Sequence, residues 1–237
     1  MIKLLLLVLT GAKFGKVLLT GGSMILSVVA YSWIFGWWYA AGFVALIFVH
    51  EMGHFLAARQ RGLNVGAPTF IPFVGAWIEL KELPHDAETE AYVGLAGPFL
   101  GTVGAFVFYF LAREFDSQLL LALSYAGFFL NLFNLIPLLP FDGGRVSQVI
   151  SPKLWLVGVP VLIGMFIYRP SPMLIIMALL AAPQVMKALR GEQAVADAAY
   201  YDVSVETRTT YALAYLGLMI FLAIMCTELQ HELPRSL

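Results

Sequence analysis

Residues 37–58 read WWYAAGFVALIFVHEMGHFLAA, an apolar run that carries His50, Glu51 and His54 within one turn of helix. A helix rises about 1.5 Å per residue, so roughly 20 apolar residues cross a hydrocarbon core of about 30 Å. This stretch is long enough to do so. Similar runs recur on both sides of it: Lys16–Phe35, Tyr92–Ala112, Leu119–Leu139 and Thr210–Cys226. Leu154–Tyr168 and Pro170–Met186 are shorter and read as two short spans or one broken hairpin. The chain of 237 residues is 60% hydrophobic and 12% charged, with a mean hydropathy of +0.84. Soluble domains carry about 25% charged residues. The expected fold is therefore an all-α polytopic membrane protein with about six transmembrane helices, in one domain over 1–237. Its motif-bearing core covers about 37–150, and 151–237 supplies C-terminal helices.

Other features narrow the class. A net charge of −1 offers no basic field for nucleic acid. The single cysteine, Cys226, excludes a disulfide framework within one chain and a cysteine-based metal site. Met1–Thr10 lacks a small-residue cleavage site and reads as an interfacial segment or membrane-edge strand, not a removable signal peptide. Lysine and arginine cluster before the first span (Lys3, Lys13, Lys16) and after the second (Arg59, Arg61, Lys81). They recur after the fourth (Arg145, Lys153) and near Lys187 and Arg190. The positive-inside rule then predicts a cytoplasmic N-terminus, with the ends of spans two and four on the same side. Gly66–Leu83 holds prolines and late alternation (Ile78 and Leu80 against Glu79 and Lys81), which predicts a small β-hairpin at the membrane surface. Gly191–Arg208 is the longest polar stretch and is expected to be a solvated loop or short helix.

The chemistry concentrates in His50-Glu51-Met52-Gly53-His54. Histidines four apart share a helical face and can reach one metal, with Glu51 on the flank to take a proton from water. Zinc suits this pattern because it lowers the pKa of its water to about 7 and polarises a carbonyl. Ionisable residues inside a span are costly and are read as functional by default. A catalytic zinc needs a third protein ligand. His85 sits in a polar loop beside Asp86, and His231 is in the C-terminal tail; both read as solvated. Asp142 is the better candidate, the alternative being a turn residue at a span exit. It follows Asn134, Pro137 and Pro140 and precedes Gly143, Gly144 and Arg145, at the end of span four on the same side as His54. Irregular backbone at membrane depth is tolerated only in protein or beside a wet cavity, and hydrolysis needs water.

The two motifs together resemble the site-2 protease family of intramembrane zinc metalloproteases, in its compact type without a PDZ or CBS domain. That family carries HExxH in one span and Asn-x-x-Pro…Asp-Gly in a later one, here Asn134, Pro137, Asp142 and Gly143. Gly94-Leu-Ala-Gly97-Pro98, opening span three, extends the match, which covers about Gly42–Ser147. Phe141 stands where leucine is usual, and Gly101 where asparagine is frequent. The resemblance implies one Zn2+ on His50, His54 and Asp142, Glu51 as catalytic base and acid, and Asn134 at the substrate or oxyanion. It implies that the hairpin guides substrate by strand addition. The implied reaction is hydrolysis of peptide bonds within or near transmembrane segments, as in regulated intramembrane proteolysis or clearance of signal-peptide remnants. The implied partners are single-span or membrane-embedded substrates, the lipid bilayer and a regulatory membrane protein. The expected location is a prokaryotic inner membrane, with the active-site opening on the cytoplasmic side.

Three rivals bear on the same residues. A prenyl-protein-processing type of membrane protease needs a glutamate as third ligand, and Glu114 lies at a loop edge on the wrong side. A divalent-metal transporter would use the same ligands for transit, but such folds carry repeats and paired broken helices, and no repeat is visible. An inactive scaffold would not need the intact ligand set.

Overall fold

The computed structural model describes residues 2–73, 75–77, 84–190 and 199–233. Among them run α1 (Ile2–Phe35), α2 (Trp37–Gln60), β1 (Thr69–Ile71), β2 (Gly75–Trp77), α3 (Ala87–Glu114) and α4 (Gln118–Asn134). They are followed by α5 (Asp142–Ile150), α6 (Trp155–Tyr168), α7 (Pro172–Arg190) and α8 (Val205–Glu232). Leu18–Phe35, α2, α3 and α8 are each long and apolar enough to cross a membrane. The chain is an integral membrane protein built almost wholly of helix.

The helix ends follow local chemistry. Gly62, at φ 77°, closes α2. Its N–H donates to the Arg59 carbonyl at 3.1 Å, and the Leu63 N–H donates to the Ala58 carbonyl at 2.9 Å. This is the paired terminal motif that a left-handed glycine permits. Asp86 caps α3 by accepting from the Thr89 N–H at 2.6 Å, with Glu88 and Glu90 in the positive first turn. The Tyr200 hydroxyl donates to the Glu90 carboxylate. Burial and that carboxylate push the phenol well above its ordinary range, so it remains a donor.

Helix α2 is central. Half of its span is buried, against 11% for the span of α1, which lies at the periphery. α3 packs on α2 and α4, and α8 packs on α4 and α5. The core between them holds Leu46, Phe128, Leu135, Val146, Tyr215 and Leu222.

The N-terminal stretch is helical from Ile2, so the strand alternative for Met1–Thr10 is not what forms. The fourth span ends at Asn134, not Leu139. Pro137 has no N–H to continue the ladder, and its ring excludes the carbonyl four residues back. The last helix starts at Val205, ahead of the expected Thr210, because Ser204 caps it by accepting from the Thr207 N–H at 3.1 Å. The strand reading of Gly66–Leu83 holds at β1 and β2, which pair antiparallel with Phe70 opposite Ala76. The expected alternation at Ile78–Lys81 lies outside the described residues, as does 191–198 of the expected polar loop. Arg208, assigned to that loop, sits inside α8.

From there Arg208 closes the C-terminal end of α5. Its Nη1 donates to the Val149 and Ile150 carbonyls at 2.8 and 3.1 Å. Its Nη2 and Nε donate to Tyr201 and Val203 carbonyls at 2.6 and 3.2 Å. The first two are among the unpaired last carbonyls of α5, where a cation also meets the negative end of the helix dipole. Arg208→Gln is expected to lose on the order of 2 kcal/mol of stability. A lower midpoint of thermal unfolding in detergent would register it; an unchanged midpoint would mean that α5 needs no such tie.

Candidate metal centre and active-site cavity

Helix α2 puts His50 and His54 on one face, and α5 brings Asp142 to them at its first turn. His50 Nε2 and His54 Nε2 are each 3.1 Å from Asp142 Oδ2 and 3.1 Å from each other. All three residues are buried, as is Glu51.

The far side of each imidazole fixes which nitrogen carries the proton. His54 Nδ1–H donates to the Val93 carbonyl at 2.8 Å, and a carbonyl can only accept. Asn131 Nδ2 donates to the Gly127 carbonyl at 2.7 Å, which leaves its Oδ1 to accept from His50 Nδ1–H at 2.8 Å. Both Nε2 atoms therefore present lone pairs to each other and to a carboxylate. Three acceptors in a triangle with 3.1 Å edges have no proton to share between neutral rings; a cation resolves the conflict. Two ligand atoms about 2.0–2.2 Å from a tetrahedral zinc stand roughly 3.3–3.6 Å apart, slightly more than is seen here. The set fits zinc in ligand type, number and outer hydrogen bonding.

The close helix contact that makes this possible runs through Gly97. A Cβ there would lie 2.2 Å from His54 Nε2. Gly101, the departure noted in the motif, leaves the space that the Asn131 amide fills, since a Cβ would meet its Oδ1 at 2.2 Å.

The triangle opens on a cavity of about 650 Å3. Glu51, Asn134 and Arg145 line it with the three metal candidates, while the rest is largely apolar, with Phe43, Ile47, Phe133 and Met177 among the walls. Ala76 of β2 and Phe73 of the hairpin turn reach the same cavity. Asn134 Nδ2 donates to the Leu130 carbonyl at 3.0 Å, which leaves its second N–H and its Oδ1 unused by that bond.

His50, Glu51, His54, Asn134 and Asp142 all line this one cavity. His85 and His231 are exposed and Glu114 lies at an exposed helix end, all outside the cavity lining. Sequence reasoning passed over Asn131 and the Val93 carbonyl, which orient the two rings. A buried asparagine inside a span was a signal in itself; the role of a backbone carbonyl leaves no signature in side-chain identity.

The comparisons agree in kind. Residues 38–118 match the model of Peptidase family M50. A zinc metalloprotease of Methanocaldococcus jannaschii is 31% identical over 116 residues, covering 47% of this chain and 33% of that protein. A chloroplast protein of Arabidopsis thaliana, assigned as a zinc metalloprotease, is 29% identical over 156 residues, covering 46% of this chain and 28% of its own. A second M. jannaschii protein with the same assignment is 31% identical over 179 residues, covering 60% of this chain and 90% of itself. The chain thus spans about a third of the length of the first two relatives and nearly all of the third.

Asn131→Leu is expected to lower zinc affinity about 10- to 100-fold, the usual cost of losing an outer-shell partner. Gly97→Ala should deplete zinc further by displacing His54. Metal competition against a chelator, read by elemental analysis, measures both; wild-type affinity in either variant would exclude this geometry.

Proposed function

The chain belongs to peptidase family M50, the site-2 protease family, and from that premise we propose that it is an intramembrane zinc endopeptidase. One observation carries the reading: two lone-pair nitrogens and a carboxylate oxygen converge beside Glu51 in a largely apolar cavity within the helices. In this reading His50, His54 and Asp142 hold Zn2+. When bound, zinc supplies a Lewis acid for the scissile carbonyl and makes water acidic enough to react near neutral pH.

The chain's own residues do the rest. Glu51 makes no hydrogen bond or ion pair among the described residues, so its carboxylate is free to accept a proton from the attacking water. It then passes that proton to the leaving amine nitrogen. Asn134 turns its unused N–H toward the substrate carbonyl. The apolar walls exclude bulk water from the bond being cut.

Substrate enters as an extended chain. The outer edge of β1 is already engaged by α1: Thr20 Oγ1 donates to the Pro68 carbonyl at 2.6 Å, and the Phe70 N–H donates to Ser23 Oγ at 3.1 Å. Phe70 therefore points its N–H away from β2, and Ala76, opposite it, points its own away from β1. Ala76 lines the cavity and turns its main-chain N–H and C=O away from β1, which supports strand addition there.

α4, α6 and α7 join the four long helices to make seven crossings, or six where α6 and α7 count as one broken hairpin. The N-terminus and the cavity mouth face the cytoplasm, on the lysine and arginine distribution, in a prokaryotic inner membrane. Substrates are single-span proteins or membrane-embedded peptides, whether in regulated intramembrane proteolysis or in clearing signal-peptide remnants. A further membrane protein supplies regulation.

The test is zinc content with cleavage of a single-span substrate in wild type, Glu51→Gln and Asp142→Ala. About one zinc per chain in the first two, far less in the third, and cleavage by wild type alone are expected. Full zinc in Asp142→Ala would exclude the ligand set; cleavage by Glu51→Gln would exclude its role. Ala76→Pro, which removes the cavity-facing N–H while sparing the β1–β2 ladder, should raise KM several-fold with zinc unchanged. An unaltered KM would remove strand addition at that edge.

A further inference from the structure

Arg145 stands apart from the other arginines of the described residues. Arg61 pairs with Glu88 and lies over the Tyr92 ring, and Arg113 pairs with Glu232. Arg59 and Arg169 lie over aromatic rings, Arg208 binds four carbonyls, and Arg190 is also engaged. Arg145 has no hydrogen bond, ion pair or aromatic face among the described residues. It is nevertheless half-buried and lines the metal cavity.

Its place is built. Three residues after Asp142 on α5, it lies on the same helical face, about 4.5 Å further along the axis. Asp142 cannot neutralise it, because that carboxylate faces the two histidines. Its stem packs on α3, where a Cβ at Gly94 would come within 3.0 Å of its own Cβ. Val93, the adjacent residue, holds His54. One turn of α3 thus braces both a metal candidate and the guanidinium.

A half-buried guanidinium without a partner, in a largely apolar cavity, is costly, and an anion is the ligand its planar fork matches. The cavity's own charges do not supply one. Glu51 and Asp142, the carboxylates among its lining residues, can together balance no more than a divalent ion held there, which leaves the Arg145 charge in excess. Its remaining walls are largely apolar. We propose that Arg145 is a substrate-recognition residue that binds a carboxylate presented beside the scissile bond. The proposal rests on the peptidase reading of this cavity. An extended chain advances about 3.3 Å per residue, so the guanidinium reads a group within about two residues of the cut. The carboxylate is either an Asp or Glu side chain of the substrate or the new C-terminal carboxylate of the released product.

The experiment uses the full-length zinc-loaded protein as wild type, Arg145→Gln and Arg145→Lys. A single-span substrate with a mapped cleavage site carries Asp or Asn in turn at each of the two residues on either side. Wild type is expected to favour Asp over Asn at one of these positions about 10- to 100-fold in kcat/KM, mainly through KM. Arg145→Gln should lose that preference with zinc content unchanged, and Arg145→Lys should keep part of it. If the product carboxylate is the ligand, no position shows the preference. Instead, the N-terminal product peptide as free acid binds wild type and not Arg145→Gln, while its amide binds neither. Zinc loss in Arg145→Gln, an Asp preference that survives in it, or the absence of both carboxylate effects would each overturn the proposal. If wild type cleaves nothing, the peptidase reading fails on its own, and direct binding of the free acid and the amide still decides the role of Arg145.

Discussion

Three lone pairs held 3.1 Å apart in a low-dielectric interior repel one another, and apolar surroundings do nothing to relieve that until a cation arrives. The chain must therefore hold His50, His54 and Asp142 against their own repulsion. Ring orientation is set by the Asn131 amide and the Val93 carbonyl, each 2.8 Å from an Nδ1. The spacing of the histidines is set by one turn of α2. The approach of Asp142 is set by α5, so the stability of the site depends on how firmly that short helix is placed.

A helix of nine residues does not position itself. Arg208 holds the far end of α5 from α8, and Trp155 Nε1 donates to the Gly144 carbonyl at 2.8 Å in its first turn. The segment between α4 and α5 is irregular because Pro137 and Pro140 break the helix, and broken backbone at membrane depth exposes polar groups that lipid cannot satisfy. The Tyr215 hydroxyl donates to the Leu135 carbonyl, at the point where α4 stops. α8, remote from the metal candidates in sequence, thus secures the end of α4 that leads into the broken segment and the far end of α5, which delivers Asp142.

His50, Glu51, His54 and Asp142 were legible in the sequence because charge inside apolar runs stands out and the two motifs have fixed internal spacing. The four long apolar helices were legible for the same reason, whereas the expected fourth span, Leu119–Leu139, forms as the 17-residue α4 and falls short of their length. The exact end of span four was less so: Leu135–Leu139 is as hydrophobic as the helix before it, and only the prolines mark the break. Arg208 looked like one more polar residue in a polar stretch, since its role depends on carbonyls of α5 and of the 199–203 segment. The hairpin was legible as a region, Gly66–Leu83, within which both described strands fall. The alternation at Ile78–Lys81 lies outside the described residues; at β1 it is α1 that contributes partners, through Thr20 and Ser23, which side-chain pattern alone does not announce.

Those contacts from α1 make the two walls of the cavity complementary. The metal wall is fixed by side chains on α2 and α5; the opposite wall is a two-stranded sheet with one edge spent on α1. Tyr31 adds a third tie by accepting the Phe73 N–H at 3.1 Å, which holds the turn residue in a left-handed conformation, φ 63°, that non-glycine residues seldom adopt. A transmembrane substrate that unwinds for cleavage meets the same problem as the α4–α5 segment: its freed N–H and C=O groups have no water to bind. On the peptidase reading, the edge at Ala76, unpaired among the described residues, solves that problem for the substrate as Tyr215 solves it for the enzyme. Pinning the hairpin to α1 then keeps that edge at a fixed distance from the metal, so that the main chain paired there delivers one particular carbonyl to it.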